Sequence, residues 1–261
     1  MPVDLTLRRL WGLGISLVLT VAVMPYPLMA LFDGSEDSHR IHDTVGALQY
    51  LPLWALPVFL FSMHRQREGA WRLALGSAVV IAGVGVWAGD LWPSSSWMPL
   101  ATLLVLWPRD VRWSVQRRSV VGLAAAGVAT WVAATVAPGL VRLQQMDMPD
   151  PHSARFHFSG TGAAYIALAV AAAVVALWQV GTVLHLTVAA SLVLAGVANL
   201  VWPLEESSVQ ASTAWTLVAA GSVVAADCVV QRVQLRRRAS HVTAPATTAT
   251  SSTTTIATTG A

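Results

Sequence analysis

Lysine is missing from all 261 residues; every one of the 16 basic residues is arginine. That excludes a lysine Schiff base, and with it a retinal protein of the usual kind. A single cysteine, Cys228, leaves no internal disulfide to form and says nothing about redox compartment. Charge is scarce as well. Only 11% of residues are charged and 55% are hydrophobic, where soluble domains carry roughly 25% charged residues. With a mean hydropathy of +0.60, the long apolar runs define a polytopic membrane protein. No HExxH or comparable tight metal signature occurs. The formal net charge is +3, but the arginines stand at loop edges and build no basic domain, which argues against a nucleic-acid partner.

What is present is a series of apolar segments near the roughly 20 residues that cross a bilayer. Eight are predicted as membrane helices: 10–31, 45–63, 73–91, 97–107, 120–141, 160–180, 184–202 and 214–230. The fourth is short and Pro108 follows it. It either extends into "RDVRWSV" with its arginines snorkelling, or it is re-entrant. Gly85-x-x-x-Gly89 permits close helix packing. After Arg238 the chain reads "ASHVTAPATTATSSTTTIATTGA". This Ser/Thr-rich run, 239–261, cannot bury enough apolar surface to order itself and is expected to be a disordered cytoplasmic tail.

Arginine placement sets the orientation. With the N-terminus inside, only Arg40, Arg142 and Arg155 fall on outer segments, so 13 of the 16 arginines lie inside. A seven-helix arrangement would scramble this pattern. The expectation is a cytoplasmic-membrane protein with both termini cytoplasmic.

Two stretches repeat each other. "HRIHDTVGALQY" begins at His39 and "ARFHFSGTGAAY" at Ala154. Arg40 and Arg155, His42 and His157, Thr44 and Ser159, and Tyr50 and Tyr165 share one offset of 115 residues. Downstream, "SVQRR" at 114–118 matches "VVQRV" at 229–233. The expected fold is therefore all-α: a polytopic bundle of about eight helices, written as two four-helix repeats, 1–116 and 117–238. Four is even, so the copies run parallel and their pseudo-twofold axis stands along the membrane normal.

The candidate chemistry lies mostly at the outer ends of these repeats. Asp150-Pro151 reads as a helix N-cap with proline at the first helical position, and Asp37 or Ser38 as its counterpart. His42 and His157 then face each other across the axis, or are interfacial caps copied by duplication. With Asp43 and Glu205 they form the candidate catalytic set, since carboxylates near protonatable imidazoles can move protons. The alternative for Glu205 and Glu206 is a solvated turn. Candidate ligand-binding residues are Arg40, Tyr50, Asp90, Arg155, Tyr165, His185 and Asp227. Tyr50 and Tyr165 lie two turns below the histidines and either bind substrate or satisfy a neighbouring carbonyl. Asp227 is the most membrane-embedded charge; it pairs with His185 or reaches Arg232 or water.

"HRIHDTVGALQYLPLWALPVFLFSMHRQREGAWR" resembles the second-half core of the domain-of-unknown-function family numbered 998, over residues 39–97. Members are prokaryotic multi-pass membrane proteins in which His-Asp opens an apolar helix, followed by a basic turn and a further helix. The second copy departs from this, with Phe158 where the first has Asp43. The resemblance implies a class and no reaction. "PLEE" at 203–206 resembles the Pro-x-Glu-Glu of membrane lycopene cyclases and keeps an isoprenoid-cyclising enzyme among the readings.

The leading expectation is a protein that binds or translocates a small amphiphile through an outward-facing cavity between the repeats. The first alternative is an embedded acid–base enzyme acting on a lipid or isoprenoid. The second is a b-haem protein, with haem or a metal at His42 and His157; neither of the other readings requires a cofactor. The partners implied are the bilayer and a small amphiphilic or lipid ligand, with oligomeric state left open.

Overall fold

Proline decides where the first two apolar segments bend. The computed structural model describes residues 3–32, 40–63, 67–89, 97–108, 119–146, 157–205 and 207–242. Helix α1, Val3–Val23, gives way at Met24 to α2, Pro25–Phe32. Pro25 and Pro27 lack the N–H that would continue the ladder, so the span is completed in two pieces. The second span is α3, Arg40–Tyr50, a π-helical turn, Leu51–Ala55, and α4, Leu56–Ser62. Pro52 and Pro57 fall within it, and the widened turn lets the chain pass Pro52 without ending the helix.

Helix α5 is Arg67–Ala88, and Gly89 stops it with φ 78°. Helix α6, Met98–Val105, has 8 residues, about 12 Å of helix against a hydrocarbon core of about 30 Å. Helices α7, Val120–Gln145, α8, His157–Leu177, α9, Thr182–Val201, and α10, Ala211–Val242, complete the chain. Among the described residues, 7 spans are long and apolar enough to cross a membrane. The chain is thus an all-α, multi-span membrane protein, and the fourth predicted helix is the one that falls short.

Contacts at the helix ends show how α6 fits. Trp107, just after α6, lies with its ring 4.9 Å from that of Trp71, near the start of α5. Leu103 and Leu106 are buried with Trp71, Ala74 and Ala78. So α6 runs back along α5 and ends at the face where α5 began. At that face Gly69 lies against Val180, Ser119 N–H donates to the Ala176 carbonyl at 3.3 Å, and Ser119 touches Asp227 of α10. At the opposite face Gln145 Nε2 donates to the Trp87 carbonyl at 2.7 Å, and the starts of α3 and α8 meet.

Helix α8 is the centre of the bundle. It packs against α7, α5 and α3, while α9 packs against α10 and α3. Its buried face is rich in alanine, including Ala163, Ala164, Ala167, Ala171 and Ala172. Lipid tails are as apolar as leucine, so helix association here rests on close backbone approach, which small residues permit. By contrast α1 and α2 expose Leu10, Leu17, Val21, Met29 and Phe32, the surface expected against acyl chains.

Candidate functional site

Helix α3 starts with an exposed-backbone problem that a distant carboxylate solves. The first N–H groups of a helix have no partner inside it, and their dipoles favour negative charge. Ile41 N–H donates to Glu205 Oε2 at 2.8 Å, across 164 residues of chain. Glu205 lies in the turn after α9, so the second half of the chain caps the first. This places a carboxylate one residue from His42.

His42 and His157 come together at the starts of α3 and α8. Their ring centroids are 5.3 Å apart and tilted by 54°. Phe158 presents its edge to His42 at 5.2 Å. Thr161, one turn after His157, has its Oγ1 2.9 Å from His42 Nδ1. The same hydroxyl donates to the His157 carbonyl at 3.0 Å. Both histidines are half-buried, as are Arg40, Asp43 and Tyr50.

Amides fasten the helices just below this pair. Gln49 Nε2 donates to the Gly160 carbonyl at 3.0 Å, and Ser77 Oγ donates to the Gln49 carbonyl at 3.0 Å. Ser159 N–H donates to Gln144 Oε1 at 3.3 Å. Tyr165 is fully buried, and its phenol oxygen accepts from Asn199 Nδ2 at 2.8 Å. Asn199 Oδ1 in turn accepts from Val209 N–H at 2.8 Å, which ties the loop carrying Glu205 to the bundle. The matched tyrosines are not equivalent, since Tyr50 is only half-buried.

A second polar cluster lies at the other face. Asp227 is buried, accepting from Ser119 Oγ at 2.8 Å and Gln231 Nε2 at 2.9 Å. His185 Nε2 lies 3.7 Å from its Oδ2. Ser119 is the N-cap of α7, and its Oγ accepts from Gly122 N–H at 3.0 Å. Asp227 thus holds a capping residue as well as facing a histidine.

Asp90, Arg155, Glu206 and the capping residues Asp37, Ser38, Asp150 and Pro151 lie outside the described residues. Sequence reasoning passed over Thr161, Gln49, Asn199 and Ser119. For Thr161 a signal existed: it follows His157 by four, so both share one helix face. Among the described residues, no group of three or more His, Cys, Asp or Glu is arranged to hold a metal ion. Two imidazoles and a nearby carboxylate at a membrane surface can exchange protons with a bound molecule. Compared with known protein families, curated proteins and solved structures, the chain matches none of them.

Proposed function

We propose that this protein is a membrane-embedded acid–base enzyme acting on a lipid or isoprenoid substrate at the outer surface. The carrying observation is the approach of His42 and His157, 5.3 Å apart, at the meeting of α3 and α8. Two imidazoles at this separation can both reach one bound molecule, which general acid–base transfer requires. Glu205 supports the reading by setting negative charge beside the pair, and the bilayer supplies the substrate class. Translocation is less well supported. Below the histidines, Val45, Leu48 and Gln49 of α3 and Ala164 and Leu168 of α8 are all buried, and Gln49 bonds across to Gly160.

The two parallel four-helix repeats belong to this proposal. Their support is the shared offset and the packing: α3 and α8 meet centrally, α5 lies against α8, and α9 lies against α3. Arginine placement supports the outward orientation of the histidine end, with both termini cytoplasmic.

The test is lipid analysis of a deletion strain complemented with wild-type protein or with His42→Gln. The deletion should accumulate a precursor that wild type consumes. His42→Gln should lower turnover by about 10²–10⁴-fold, the usual worth of general acid–base catalysis. An unchanged lipid profile in the deletion overturns the enzyme reading. A haem absorption band in purified protein that is lost in His157→Gln would assign the pair to iron instead.

A further inference from the structure

His42 and His157 occupy matching positions, yet one hydroxyl separates their surroundings. Thr161 is fully buried between them. A threonine hydroxyl has one proton and two lone pairs. Its proton is directed at the His157 carbonyl, 3.0 Å away. With the proton placed there, a lone pair faces His42 Nδ1 at 2.9 Å and that nitrogen is the donor. Fixing one ring nitrogen fixes the other: in this arrangement His42 is the Nδ1–H tautomer, with its basic lone pair on Nε2.

The repeat is broken at this position. The offset of 115 that relates His157 to His42 relates Thr161 to residue 46, which is glycine. Glycine offers no hydroxyl, so His157 gains no equivalent acceptor from that place. Packing does not demand the glycine, because a Cβ at Gly46 would meet nothing within 4 Å. Duplication supplied two histidines, and a single side chain makes them unequal.

We propose that Thr161 is a positioning residue that makes His42 the proton-accepting member of the pair, through Nε2, and leaves His157 to return the proton. The inference rests on the acid–base reading above and narrows it. In such a cycle the substrate gives one proton to His42 and takes one from His157, so it leaves as an isomer. No bond to oxygen is made and no electrons are exchanged, so no oxidant or reductant is required. The reaction class is an isomerisation or cyclisation of an unsaturated lipid. Outside water then resets the pair by taking the proton from His42 and supplying one to His157.

Nitrogen NMR of the full-length protein in lipid nanodiscs, labelled with 15N-histidine at about pH 8 where imidazoles are mostly neutral, reads the tautomer directly. Protonated and bare ring nitrogens resonate in separate ranges, and His42→Gln identifies the His42 signals. Wild type should show His42 protonated at Nδ1. Thr161→Ser should keep that pattern, and Thr161→Val should shift it towards Nε2–H. Wild-type His42 protonated at Nε2 overturns the proposal, as does an unchanged spectrum in folded Thr161→Val. Should Thr161→Val not fold, wild type and Thr161→Ser decide the matter alone. The expected tautomer with an inert lipid profile would remove the acid–base reading and leave the hold of Thr161 on the ring. The wrong tautomer in a protein that does turn over lipid would remove the role of Thr161 and leave the reading.

Discussion

A carboxylate inside an apolar helix must be answered by donors, and Asp227 is answered by two side chains from different places in the chain. Ser119 and Gln231 each donate to it, at 2.8 and 2.9 Å. If these bonds are its task, Asp227→Asn, which keeps an acceptor for Ser119, should cost under about 1 kcal/mol. Asp227→Leu should cost about 1–3 kcal/mol, because Ser119 and Gln231 lose their acceptor. Thermal unfolding in detergent measures both; equal losses would mean that the charge itself is what matters. Should Asp227→Asn keep its expression and lose lipid turnover, the cluster belongs to the chemistry. The histidine pair was legible in sequence because a rare residue type recurred at a fixed offset. Thr161, Gln49 and Asn199 were not, because common polar residues in apolar runs reveal a partner only once two helices are placed together.

Helix contacts turn on which side of a helix a small residue faces. Gly85 and Gly89 have the spacing of a packing motif, but Gly89 ends α5 at φ 78°, and a Cβ there would meet nothing within 4 Å. The close approach is made elsewhere. A Cβ on Gly196 would sit 2.5 Å from the Ala214 carbonyl oxygen, and one on Gly221 2.6 Å from that of Ala189. Both obstacles are backbone, so α9 and α10 would have to separate. Gly196→Ala and Gly221→Ala should therefore each destabilise by about 1–3 kcal/mol. Gly127→Ala is the control, because a Cβ there meets nothing within 4 Å; it should be neutral or stabilising by up to about 1 kcal/mol. Comparable losses at all three would make helix propensity, not contact, the cause. The apolar spans predicted from 45 and 160 are shorter than the helices that carry them: α3 includes Arg40 and α8 includes His157, on the side where caps were expected at Asp37 or Ser38 and at Asp150. Hydropathy registers where apolar residues begin, whereas a helix begins where its first N–H groups find acceptors.

Across the whole bundle, the expected two-copy plan makes a geometric demand on both ends. The outer ends of the second and sixth predicted helices must meet, and His42 and His157 do. With Cys228 replaced by serine, His42→Cys with His157→Cys should crosslink through reagents shorter than about 12 Å, one helix diameter. Failure at every such length would place α3 and α8 apart in the membrane. Reporter fusions at Ser38 and Ser153 should both signal from outside, because 13 arginines mark the other side. An inside signal at Ser153 would overturn the expected even number of crossings. The length of α6 was the least legible feature. Its tryptophan ends mark interfaces by composition, but the distance between them depends on how much of the intervening chain is helical.

The cap that Glu205 places on Ile41 also orders events in time. Partners 164 residues apart cannot meet until the later one has been made. At about 5–20 residues per second, synthesis leaves the start of α3 waiting roughly 8–33 s for its acceptor. His42 waits in the same way for Thr161. The first half of the chain can enter the bilayer early, but the histidine site is complete only once the turn after α9 has been made. A chain interrupted before residue 205 would therefore lack this cap, with the first N–H groups of α3 left to water or to lipid phosphate.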